Sequence, residues 1–205
     1  MVIGYPVQWL FFKKKVYYES GKKTKIRKGG KLIIANHYHL FDYGLVLFSV
    51  FPRKLIAVAS EQPFKHKIAR LGMKFFGTIE ANRQTKDMSF VDKSAELISK
   101  GKLVMIFPEG RNTPDGQMHE FKPSYILISA MADCNILPII TDGNYGPFKR
   151  VNMIIGNEIH LSELTDANLD EMPKEEIERV NQIIYQKALD LRAKLEQLKK
   201  QKRKK

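Results

Sequence analysis

His37 and Asp42 stand five residues apart in the run Asn36-His37-Tyr38-His39-Leu40-Phe41-Asp42. On one continuous helix residues five apart differ by about 140° and cannot meet, so an imidazole–carboxylate hydrogen bond requires the chain to turn before any helix begins. Given that turn, Asp42 accepts from one ring nitrogen, fixes the tautomer and stabilises the imidazolium, while the other nitrogen takes a proton from a substrate hydroxyl. Two other readings suit the same residues. Asp42 and His37 can simply cap a helix. His37, His39 and a following acid can also ligate a metal, but no third ligand follows at close spacing, and His66, His119 and His160 lie in unrelated contexts, so no metal is expected.

The elements on either side decide whether such a corner exists. Residues 31–35, Lys-Leu-Ile-Ile-Ala, are β-rich and bounded by Gly29, Gly30 and Asn36, which predicts a buried strand ending just before His37. Residues 40–51 are apolar and stop at Pro52, as a helix would. Further strands are expected over 55–59, 103–107, 136–141 and 151–156. Helices are expected over 63–76, ending at Gly77, then 87–99, 123–132 and 175–205, the last dissolving into the basic tail KKQKRKK. This alternation predicts one α/β domain over residues 29–205. Its central sheet is mainly parallel and flanked by helices, with ligands at the carboxyl ends of the strands.

Composition narrows the partners. Lys and Arg total 35 against 22 Asp and Glu, a formal charge of +13, so a polyanion is expected, either anionic lipid or nucleic acid. The single cysteine, Cys134, excludes an intrachain disulfide and a thiolate metal site, and a reducing cytosol is the expected setting. Residues 1–28 begin apolar and aromatic, with Trp9, Phe11, Phe12, Tyr17 and Tyr18 around Lys13, Lys14 and Lys15. The apolar run is too short to span a bilayer, and the pattern predicts an N-terminal amphipathic helix lying in a membrane interface. A helix packed on the domain is the alternative.

Four ordered blocks resemble the PlsC-like glycerolipid acyltransferases. They are Asn36-His37 with Asp42, Gly77-Thr78-Ile79 with Arg83, Phe107-Pro108-Glu109-Gly110, and an apolar strand containing Pro138. The resemblance implies transfer of a fatty acyl group from acyl-ACP or acyl-CoA to a lysophospholipid, most simply 1-acylglycerol-3-phosphate, with no cofactor. His37 is then the general base and Asp42 its partner. Arg83, Glu109, Gly110, Arg111 and Lys122 are the expected acceptor-binding residues, a guanidinium suiting a phosphate and a glycine allowing close backbone approach. It also implies a cytoplasmic protein held peripherally on the inner face of the cell membrane. Three positions depart from the family pattern: His39 where serine is usual, Arg111-Asn112 after Glu-Gly in place of Thr-Arg, and Pro123-Ser124 in place of a glycine-containing turn. An acyltransferase for another lysolipid, a membrane-binding relative without activity and a basic nucleic-acid-binding protein are the alternatives. No helix-turn-helix, RNP, KH or zinc-finger signature is present, so nucleic acid is not the expected partner.

Overall fold

The computed structural model describes residues 13–23, 26, 29–39, 41–60, 71, 73, 76–81, 88–113, 116–146 and 149–201. Among them seven strands form one sheet: β1 (Lys14–Tyr18), β2 (Lys31–Ala35), β3 (Leu55–Ser60), β4 (Ile79–Ala81), β5 (Leu103–Ile106), β6 (Ile136–Thr141) and β7 (Val151–Ile155). They lie in the order β1-β7-β6-β2-β5-β3-β4. The five strands from β6 to β4 run parallel, whereas β7 is antiparallel to β6 and β1 follows β7 in parallel. β2 is central, its Ile33 opposite Met105 on one side and Leu137 on the other.

Because successive strand residues face opposite sides, the apolar run Leu32-Ile33-Ile34-Ala35 feeds two cores at once. Leu32 and Ile34 join Val104, Ile106, Ile136 and Ile140 on one face. That face is covered by α2 (Ser89–Ser99), α3 (Ser124–Met131) and α4 (Lys174–Gln201). Helix α4 contributes Val180, Ile184, Ala188, Leu191 and Leu195, three or four residues apart and therefore on one stripe. Ile33 and Ala35 join Leu103, Met105, Leu137 and Ile139 on the opposite face, under Leu45, Val46 and Val50 of α1 (Asp42–Val50). Full burial of each such side chain stabilises the fold by about 1.5–3 kcal/mol, so β2 is firmly held on both sides where it ends.

The N-terminal segment differs from expectation. Residues 14–18 are strand, not helix, and β1 brings this stretch into the sheet alongside the rest of the domain. Val16, Tyr17 and Tyr18 are branched or aromatic and favour strand, and the pairing supplies partners for the edge of β7. Tyr17 packs into the first core while Val16 and Tyr18 pack on the second, which is strand alternation. Trp9, Phe11 and Phe12 lie outside the described residues, as do Arg83 and most of the expected helix over 63–76. No helix among the described residues is long and apolar enough to cross a membrane.

Candidate functional site

At the carboxyl end of β2 the side chain of Asn36 takes over the pairing with β6. Its Nδ2 donates to the Thr141 carbonyl at 3.0 Å, and its Oδ1 accepts the Thr141 N–H at 2.8 Å. The chain then turns. Asp42 N–H donates to the His39 carbonyl at 3.0 Å, while Asp42 Oδ2 accepts the N–H groups of Tyr38 and His39, both at 2.7 Å. That turn carries His37 Nδ1 to 3.1 Å from the same Oδ2. A fully buried carboxylate thus organises the corner and holds the imidazole at once. The His37 side chain keeps 19% of its surface exposed and stacks on Phe107, with ring centroids 3.8 Å apart and planes 13° from parallel. One ring nitrogen is oriented by the carboxylate, and part of the ring remains exposed.

Glu109 acts on the same corner from the end of β5. Its Oε1 accepts the His37 N–H at 2.9 Å, and its Oε2 accepts the His119 N–H at 2.9 Å and the Thr113 hydroxyl at 3.3 Å. Thr113 in turn donates to the His37 carbonyl from its N–H at 2.9 Å and its hydroxyl at 3.0 Å. Burial pushes the Glu109 carboxyl above its ordinary range, and the N–H groups of His119 and His37 and the Thr113 hydroxyl pull it part of the way back. Glu109 was expected to meet the acceptor, but its carboxylate is engaged by internal donors that tie the loop after β5 to the backbone of His37.

The other expected binding residues gather beside it. Gly110, Arg111 and Lys122 line a cleft of ≈ 400 Å³ together with Glu109, His119 and Glu120. Gly110 has φ +67° and faces the Lys122 side chain, where a Cβ would lie 3.3 Å from it. Arg111 reaches His119 Nδ1 at 3.1 Å, so the cation displaced by one place from the family pattern still points into this cleft. Arg83 lies outside the described residues. Among the described residues no group of three or more His, Cys, Asp or Glu side chains is placed to hold a metal ion.

Residues that sequence reasoning did not single out complete the corner. Tyr145, on the loop between β6 and β7, donates its hydroxyl to Asp42 Oδ1. Tyr38 is pinned by Arg192 of α4, which donates to its hydroxyl and lies 5.0 Å from its ring centroid. Gly143, at φ +63°, passes under that ring, where any Cβ would lie 2.6 Å from a ring carbon. The available signal was positional: the loop after β6 leaves the carboxyl end of a strand beside β2, where α/β proteins place chemistry.

A central parallel strand thus ends in a carboxylate-held histidine, beside a cleft lined by Arg111 and Lys122 together with Glu109 and Glu120, at the carboxyl end of an α/β sheet. The chain belongs to the acyltransferase family, whose model matches residues 17–142, more than half its length. Its fold is similar to that of the crystal structure of the 1-acyl-sn-glycerophosphate (LPA) acyltransferase, PlsC, from Thermotoga maritima. That match has a TM-score of 0.63 at 21% identity and covers 93% of this chain and 77% of that one. The matched region holds His37, Asp42, Glu109, Gly110, Arg111 and Lys122, whereas Tyr145 lies beyond it.

Proposed function

We propose that the protein transfers a fatty acyl group from an acyl thioester, carried on acyl carrier protein or coenzyme A, to the free hydroxyl of a lysophospholipid. The acceptor favoured is 1-acylglycerol-3-phosphate, giving phosphatidic acid. The observation that carries this reading is the 3.1 Å contact of His37 Nδ1 with buried Asp42, next to the cleft of Arg111 and Lys122. The acceptor oxygen attacks the thioester carbonyl carbon as His37 Nε2 removes its proton, and Asp42 stabilises the imidazolium. The C–S bond then breaks, the acyl ester forms, and the thiolate leaves with the proton that His37 returns. Arg111 and Lys122, with Arg83 by resemblance, hold the acceptor phosphate. Glu109 acts by holding the His37 backbone.

The reaction takes place at an anionic membrane surface, on the inner face of the cell membrane. The +13 charge favours such a surface. So do Phe41 and Phe51, which flank α1 and remain 40% and 45% exposed, and Phe76, 40% exposed and set 6.2 Å from Tyr43 of that helix. The test is mass spectrometry of products from a panel of lysolipids with both donor types, without added metal, for the wild-type protein and His37→Ala. Acylated lysophosphatidate from the wild type and none from the variant is expected; equal turnover in both sinks the assignment.

A further inference from the structure

Tyr145 lies 103 residues along the chain from Asp42, yet its hydroxyl meets Asp42 Oδ1, the carboxylate oxygen that the corner itself does not engage. The other oxygen, Oδ2, takes His37 Nδ1 and the N–H groups of Tyr38 and His39. A carboxylate gripped through one oxygen can still pivot about that contact. Gripped through both, its plane is set.

The loop that delivers Tyr145 is built to do so. Asp142, with a side chain only 2% exposed, accepts the Asn144 N–H at 3.2 Å, the Asn152 N–H at 3.0 Å and Asn152 Nδ2 at 2.7 Å, and pairs with Lys199 of α4 at 2.9 Å. The Tyr145 ring packs against His39 and Phe41, with centroids 5.3 Å and 5.9 Å away. Burial, and then the charge of Asp42, push the Tyr145 hydroxyl far above its ordinary range, so it remains a donor throughout the working pH range.

We infer that Tyr145 is a positioning residue of the His37–Asp42 pair: its O–H fixes Asp42 Oδ1 and thereby aims Oδ2 at His37 Nδ1. The titratable and charged groups around this contact are His37, His39, Tyr38 with Arg192, and Asp142 with Lys199; Glu109 joins from β5 through the His37 N–H. The kinetic consequence rests on the acyl-transfer reading; the geometric one does not.

Tyr145→Phe keeps the ring and removes only the hydroxyl. The experiment compares the His37 Nδ1–H resonance by NMR at one pH, assigned from a His37→Gln spectrum, in the wild type and the variant. With Oδ2 no longer held in line, that resonance is expected to move upfield and to broaden by faster exchange with solvent. Alongside, kcat falls about tenfold while acceptor KM stays within about twofold. Placing 3-fluorotyrosine at 145 keeps both ring and hydroxyl and is expected to keep the wild-type resonance, which guards against a general disturbance by replacement at this position. An Nδ1–H resonance unchanged in Tyr145→Phe, or changed as much by 3-fluorotyrosine, overturns the inference whatever the activity. A resonance that changes only in Tyr145→Phe, in a protein without acyl transfer, upholds the positioning role and counts against the proposed function instead.

Discussion

Glu109→Gln separates a side chain that holds the His37 corner from one that touches the acceptor. The carboxylate offers two accepting oxygens to the backbone N–H groups of His37 and His119, each at 2.9 Å. The amide offers one. Whichever way it turns, one N–H loses its acceptor and faces an NH2 group, at a cost of about 1–3 kcal/mol for a buried donor. Burial already pushes the Glu109 carboxyl up, so removing the charge relieves part of that loss and places the net cost at about 1–2 kcal/mol. For a chain of this length the melting temperature falls by about 2–8 °C. The assay is calorimetric melting of wild type and variant at one pH, with donor and acceptor KM measured on the same preparations. A Tm unchanged within about 1 °C, accompanied by a severalfold rise in acceptor KM, refutes the positioning role and returns Glu109 to the substrate.

Asn36→Ala removes both hydrogen bonds to the Thr141 backbone; stability is expected to fall by about 1–3 kcal/mol in urea titration, with activity falling too because the His37 corner hangs from that bracket. An active variant of wild-type stability contradicts this. Lys14, half-buried with its Nζ 3.0 Å from Ser49 Oγ, is held by burial down to about 8. The unfolded chain keeps that proton to the ordinary lysine value, so between these pH values the unfolded state binds more protons and stability rises with pH. Lys14→Met is therefore expected to be more stable than the wild type near pH 7, by an amount that shrinks as pH climbs from about 8 toward 10. A difference in urea midpoint that is constant with pH counts against it.

Much of the architecture is legible in the chain because its elements are locally consistent. Short β-rich runs bounded by turn-forming or polar residues became β2, β3, β5, β6 and β7, and an apolar stripe at helical spacing became α4. The His37–Asp42 contact was legible because it is local: the two meet through a turn of six residues that the strand end and helix start on either side already imply. Other features depend on partners that spacing does not reveal. Lys14–Tyr18, aromatic and basic, fits an interfacial helix until the edge of β7 offers its backbone a ladder. Glu109 suits a substrate site in sequence, and only the fold shows its carboxylate spent on the His37 and His119 amides. Tyr145 has no motif at all and reaches Asp42 because β6 and β2 are neighbours in the sheet, which places two loops 103 residues apart at the same carboxyl end. The sequence therefore determined the His37–Asp42 pair and the strands that carry it, since these rest on short-range pattern. Tertiary structure decided which groups hold that pair in place, because a hydrogen bond between distant loops is set by sheet order and packing, not by local propensity.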